Sequence, residues 1–234
     1  MKADSFRHPM TVAERVFGLV YLPVHAVGLP FLLLLLAELF RPQTDEIWLD
    51  LAMYAVGLLA CLIFLHRFLK TSFSDIFDRP GRFVFTLLVC AVIYLGLNTL
   101  VNSLLLLAPA EVTENPNNEA VAAIAGSNFR VTVAITVFMA PILEECLFRG
   151  ALFGTIRRKS RVTAYVVTIL LFAFYHLWSM FVYAYDSSLW WYLLQYVPAG
   201  FALCYAYGRS GTVWCPIVLH AAINALAMYA QTLG

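Results

Sequence analysis

An all-α, polytopic transmembrane helical bundle of about seven spans, with its amino terminus in the cytoplasm, is the fold class this chain predicts, and three observations predict it. Of 234 residues, 62% are hydrophobic and only 12% are charged, whereas soluble domains are roughly 45–50% apolar. Mean hydropathy is +0.80, which removes disorder, coiled coil and collagen along with most soluble enzymes. The apolar residues also gather into runs of about 19 or more, each able to cross about 30 Å of hydrocarbon at 1.5 Å per residue. The lipid bilayer is therefore the expected surrounding. A formal net charge of +1 gives no basic field, so no nucleic acid partner is expected.

The expected spans are 16–40, 47–69, 83–109, 130–156, 162–183, 190–208 and 212–232. The first is too long for a cleavable signal peptide, and no A-x-A-like site follows it. Between spans 2 and 3, TSFSDIFDRPGR (71–82) alternates aromatic and charged residues before a Pro-Gly turn, as an interfacial segment does. Ala110 to Asn128 reads as a polar external loop with a short helix over Glu119 to Ala125. Trp190, Trp191 and Tyr192 read as an interfacial aromatic belt. Cys61, Cys90, Cys146, Cys204 and Cys215 all sit in apolar stretches without a CxxC, as small buried hydrophobes. With no internal repeat or linker, residues 1–234 form a single membrane-embedded domain in this reading.

Charge sorts the connections. Lys2, Arg7 and Arg15, then Arg67, Lys70, Arg79 and Arg82, then Arg157, Arg158, Lys159 and Arg161, and finally Arg209 place twelve of the fifteen basic residues on one side. Asp45, Glu46, Glu111, Glu114, Glu119 and Asp186 collect on the other, with Arg41 and Arg130. The positive-inside rule makes the basic side cytoplasmic.

Ionisable residues deep in a span cost about 2.5–3.5 kcal/mol each and call for partners. PILEECLFRG, residues 141–150, holds Glu144, Glu145 and Arg149. Residues four apart share a helix face while neighbours point about 100° apart, so Glu145 pairs with Arg149 and Glu144 is left for chemistry. LLFAFYHLW puts Phe172 and His176 four apart, and LHAAINA does the same for His220 and Asn224. Counted inward from the basic residues, Glu144, His176, His220 and Asn224 lie roughly 16–23 Å deep at 1.5 Å per residue. A carboxylate, two imidazoles and an amide at one depth suit water activation beside a polarised carbonyl. Glu144, His176 and His220 are also a zinc-compatible donor set, although the chain contains no HExxH.

These residues resemble a known family. EECLFR is similar to the EExxxR motif, FAFYH to FxxxH and HAAIN to HxxxN of the CPBP intramembrane proteases, which include the CAAX-processing Ras-converting endopeptidase and the bacterial Abi proteins. The motifs fall in the family's order across 141–224. The resemblance implies that Glu144 and His176 activate water and that His220 and Asn224 form the oxyanion site. It gives Glu145 and Arg149 a supporting role and has Phe172 shape the pocket. A glutamate-type mechanism with no metal is favoured, with zinc as the other possibility.

The function expected is an intramembrane endopeptidase cleaving a membrane-associated peptide or protein near its carboxyl end, in a bacterial or archaeal cytoplasmic membrane. The alternatives are a proton-coupled transporter and a catalytically silent peptide-binding or immunity protein of the same fold. Sequence leaves the oligomeric state open. Water is expected to reach Glu144 from the basic face. Asn98 and Asn102 read as interhelical hydrogen-bonding residues, and His25, Glu38, Asp50 and His66 as residues near span ends. Pro141 frees backbone carbonyls in span 4.

Overall fold

The computed structural model describes residues 9–41, 43–107 and 115–231. Lys2, Arg7, Glu111, Glu114 and the expected span ends at 109 and 232 lie outside the described residues. The described chain is a helical bundle without strands. In order the helices are α1 (Val12–Phe40), α2 (Glu46–Phe64), α3 (His66–Asp78), α4 (Pro80–Leu105), α5 (Pro116–Arg157), α6 (Arg161–Tyr183), α7 (Leu189–Gln195), α8 (Val197–Ser210) and α9 (Trp214–Gln231).

Among the described residues, five of these, α1, α2, α4, α5 and α6, are long and apolar enough to cross a membrane, where the hydropathy pattern suggests seven. Tyr196 breaks the stretch 190–208 into α7 and α8, and the apolar part of α9 is shorter, Trp214–Ala230. Span 2 ends early. Leu65 leaves helical geometry at φ −113°, ψ 15°, and His66 opens the amphipathic helix α3, which buries Phe68, Leu69 and Ser72. The helix expected over Glu119 to Ala125 instead starts at Pro116, capped by the Asn115 side chain, and runs on into span 4 with a kink at Asn128 (φ −152°, ψ 79°).

α5 is the axis of the bundle. In its most apolar 18-residue window 56% of residues are buried, against 6–22% in the other four long helices, so its side chains meet protein to a far greater extent than theirs. Small residues let its neighbours approach, as is common between membrane helices. A Cβ on Gly18 of α1 would lie 2.5 Å from Ala151 Cβ, and one on Gly57 of α2 would lie 2.7 Å from Leu143 Cδ2.

The two ends of the bundle differ. At the basic end, the Glu14 carboxylate accepts from the Phe68 backbone N–H at 2.9 Å and pairs with Arg67 at 3.6 Å. Thr212 Oγ1 donates to Ser72 O, and Trp214 Nε1 to Leu69 O. Gly211, in the left-handed region at φ 83°, makes the tight turn from α8 to α9 there. At the opposite end, Asn115 Nδ2 donates to Gln195 Oε1 at 2.7 Å and Tyr196 Oη donates to Asn115 Oδ1 at 3.4 Å, tying the start of α5 to α7 and α8. All five cysteines are buried and unpaired, as their apolar settings suggest. Trp190 and Trp191 are exposed, but Tyr192 is buried against Leu177 and Leu189 and does not belong to an interfacial belt.

Candidate active site

Local winding of α5 sets the position of its polar residues. Ala134–Met139 and Cys146–Phe153 are wound as π-helix on either side of the α-helical turn Ala140–Glu145, an irregularity frequent at functional sites. In the first of these stretches the Ala140 N–H bonds to Ile135 O, five residues back. Continuing that pattern, Thr136 O would be met by the N–H of residue 141, which is a proline and has none. Asn224 Nδ2 from α9 donates to Thr136 O instead, at 2.8 Å. The carbonyl freed by Pro141 is therefore what docks Asn224, which keeps a second amide N–H.

Glu144 and Glu145 follow this turn and separate as the helix geometry requires. Arg149 Nη1 donates to Glu145 Oε1 at 2.8 Å, with both side chains fully buried. The same Glu145 oxygen lies 2.8 Å from His220 Nδ1. Phe172 covers this clamp, with the Arg149 guanidinium carbon 4.3 Å from its ring centroid.

Glu144 turns into a cavity of about 820 Å³ lined also by Phe172, His176, His220 and Asn224. Its Oε2 lies 3.9 Å from His176 Nε2 and 3.9 Å from His220 Nε2. His176 Nδ1 is 2.8 Å from Phe172 O. A carbonyl can only accept, so Nδ1 carries the hydrogen and Nε2 turns its lone pair to Glu144. Tyr196 stacks on the His176 ring with centroids 4.6 Å apart. A gap of 3.9 Å admits one water bonded to both the carboxylate and a ring nitrogen. It is wider than the roughly 3.3 Å between donors of a tetrahedral zinc site with arms of about 2.0–2.1 Å, and among the described residues no group of three such donors is placed to hold a metal.

The structure adds residues that motif spacing does not reveal. Tyr54 of α2 donates from its hydroxyl to Glu144 Oε1 at 3.3 Å. His25 is not near a span end. It occupies a π-helical turn, Val24–Gly28, in the middle of α1, is 1% exposed, and packs its ring against Tyr54 and Tyr175 at centroid distances of 5.5 and 6.4 Å. Proline at 23, next to that turn, is the only cue in the sequence. Asn98 and Asn102 line the cavity, and among the described residues neither side chain bonds a neighbouring helix.

The expected route for water is also corrected. The cavity lining includes Glu46, Asn115, Asn117, Asn118 and Gln195 at the acidic end, and no residue from the basic connections 70–82, 157–161 or 209–214. Among the described residues, the contacts of Glu14, Arg67, Thr212 and Trp214 close the basic end and the space above Glu144 leads toward the opposite face.

With that geometry in place, comparison with known proteins is informative. Residues 126–226 match the family model described as type II CAAX prenyl endopeptidase Rce1-like. The Rce1-like match takes in Glu144 through Asn224 and none of α1 to α4, which bears out the resemblance read from the three motifs and supports a membrane protease role. The protein named "Putative membrane peptidase YdiL" of Bacillus subtilis is 27% identical over 100 residues, covering 42% of this chain and 36% of that protein. The "UPF0177 protein YxdF" of Lactococcus lactis is 29% identical over 84 residues, covering 36% of this chain and 41% of that protein. The chain thus spans less than half the length of the curated relatives it matches. No solved structure matches the chain.

Proposed function

We propose that the protein is an intramembrane endopeptidase that hydrolyses a peptide bond of a membrane-associated peptide or protein, with Glu144 as the general base. The observation that carries this reading is the convergence of two imidazole Nε2 atoms on Glu144 Oε2, each at 3.9 Å, on the wall of a cavity large enough for a peptide segment. Glu144 takes one proton from a water oriented by the His176 lone pair, and the oxygen attacks the scissile carbonyl carbon. His220, anchored through Nδ1 on Glu145, and the remaining amide N–H of Asn224 donate to the oxyanion. For His220 this requires a proton on Nε2 at that step, where Glu144 is neutral and the oxyanion and Glu145 stand against Arg149 and the imidazolium. Collapse of the intermediate breaks the C–N bond, and the proton held by Glu144 passes to the leaving amine.

The bond cleaved must lie in an unwound segment, because a helical substrate has its carbonyls already paired. In this reading the chemistry uses no resident metal. The test is purified protein in proteoliposomes with a fluorogenic peptide. Cleavage that survives exhaustive chelation, with no stoichiometric zinc by elemental analysis, supports the reading. Cleavage lost on chelation and restored by one zinc per chain reassigns Glu144, His176 and His220 as ligands. Proton-coupled flux without cleavage replaces the hydrolase by a transporter.

A further inference from the structure

The cavity has a charge pattern that hydrolysis alone does not require. Its lining holds three carboxylates, Glu46, Asp50 and Glu144, and no lysine or arginine among the described residues. Glu46, Asp50 and Tyr54 are spaced four apart on α2, so they share one face. Tyr54, the innermost, bonds Glu144. Each step up that face rises about 6 Å, so Asp50 lies about 6 Å and Glu46 about 12 Å above the level of Tyr54. Neither carboxylate has an ion-pair partner among the described residues.

A second, independent feature of the same space points to a ligand. His25 is 1% exposed, lines the cavity and has no hydrogen-bond partner for either ring nitrogen among the described residues. Nearby, Asn98, Asn102, Asn117 and Gln195 line the cavity with amides, which suit the N–H and C=O groups of an unwound chain. An extended chain advances about 3.3 Å per residue, so Asp50 and Glu46 stand about two and four residues from a bond at Glu144.

We propose that this cavity holds the polypeptide as an extended segment with a positively charged group, a lysine or arginine side chain or a free amino terminus, set against Asp50 and Glu46 about two to four residues from the scissile bond. The placement relative to that bond rests on the hydrolytic reading. The charge preference does not. A free terminal carboxylate set beside Asp50 and Glu46 is disfavoured, since it would meet carboxylates and no cation. The segment comes in from the acidic face, where Glu46 stands at the mouth.

The test uses full-length protein in zwitterionic nanodiscs and labelled peptides of one sequence carrying lysine, norleucine or glutamate three residues from a central bond. Anisotropy measures affinity for the Glu144→Gln variant, and mass spectrometry follows cleavage by the unmodified protein. The lysine peptide should bind at least about tenfold more tightly than the norleucine peptide, with glutamate weakest. Asp50→Asn should remove most of the difference, and Asp50→Lys should reverse the order. Equal affinities for the three peptides, or a lysine preference untouched in the Asp50→Asn, Glu46→Gln double variant, overturns the proposal. The peptide series needs no Asp50 variant, so a failure of those variants to fold leaves the first comparison decisive. Charge-dependent binding without cleavage by the unmodified protein upholds the proposal and sinks the hydrolytic reading, whereas cleavage indifferent to charge does the reverse.

Discussion

Glu144 and Glu145 are neighbours in the chain and occupy two different media. Glu145 is sealed, fully buried, with one oxygen shared by Arg149 and His220 and an arene stacked over the pair. Glu144 faces a cavity, with Tyr54 on one oxygen and two imidazoles at water-bridging distance from the other. One helical position, about 100° of rotation, separates a side chain that holds helices together from one that can exchange protons. The clamp also serves the cavity, because the hydrogen bond from His220 to Glu145 fixes which ring nitrogen looks at Glu144.

That contrast breaks most visibly at Glu145. Glu145→Gln leaves the Arg149 guanidinium as an uncompensated buried charge, a loss on the order of 3–5 kcal/mol. Thermal unfolding in detergent should fall steeply, and Arg149→Met on top of it should recover most of the loss. An unchanged melting temperature in the single variant would mean that the clamp is not structural. Glu144→Gln should do the opposite, keeping the unfolding temperature while peptide hydrolysis drops at least about 10²-fold. Cleavage near the unmodified rate would remove Glu144 from the chemistry.

Access to the two carboxylates should differ as well. Ala140 lines the cavity one turn before Glu144, so Ala140→Cys in a cysteine-free background should react with an impermeant thiol reagent at least about tenfold faster from the acidic face than from the basic one. Faster labelling from the basic face would restore the route expected from charge sorting alone. Ala173, buried and outside the cavity lining, should stay unlabelled as cysteine from either side. Tyr54→Phe should have the smallest effect. It removes one hydrogen bond of 3.3 Å to Glu144, worth about 1 kcal/mol, so turnover should fall about fivefold with the unfolding temperature unchanged. A loss as large as that of Glu144→Gln would make Tyr54 a proton-transfer group in its own right.

The residues of the clamp and of the Glu144 cluster are legible in the sequence because they lie on two short-range rules. Four-residue spacing pairs Glu145 with Arg149, Phe172 with His176 and His220 with Asn224, and counting from the basic residues puts three helices at one depth. Hydropathy finds the long helices for the same reason, since lipid solvates any apolar run without regard to its neighbours. At α7, α8 and α9 the runs it reads as single spans are divided at Tyr196 or shorter, because helices packed on protein need not be as long as those surrounded by lipid.

What the chain determines by itself, then, is local: the helices, the face each polar residue occupies, and the split between Glu144 and Glu145. Tertiary structure decides what those faces meet. Tyr54 lies 90 residues from Glu144, His25 comes from a helix with no motif, and Asn224 is placed by a carbonyl that Pro141 frees on α5. The side on which the cavity opens is likewise set by the packing of α1, α3 and α9 at the basic end. Helical periodicity extends along one helix, whereas a cavity is the space several helices leave between them, and the close approach at Gly57 that brings α2 against Leu143 and His25 exists only once they pack.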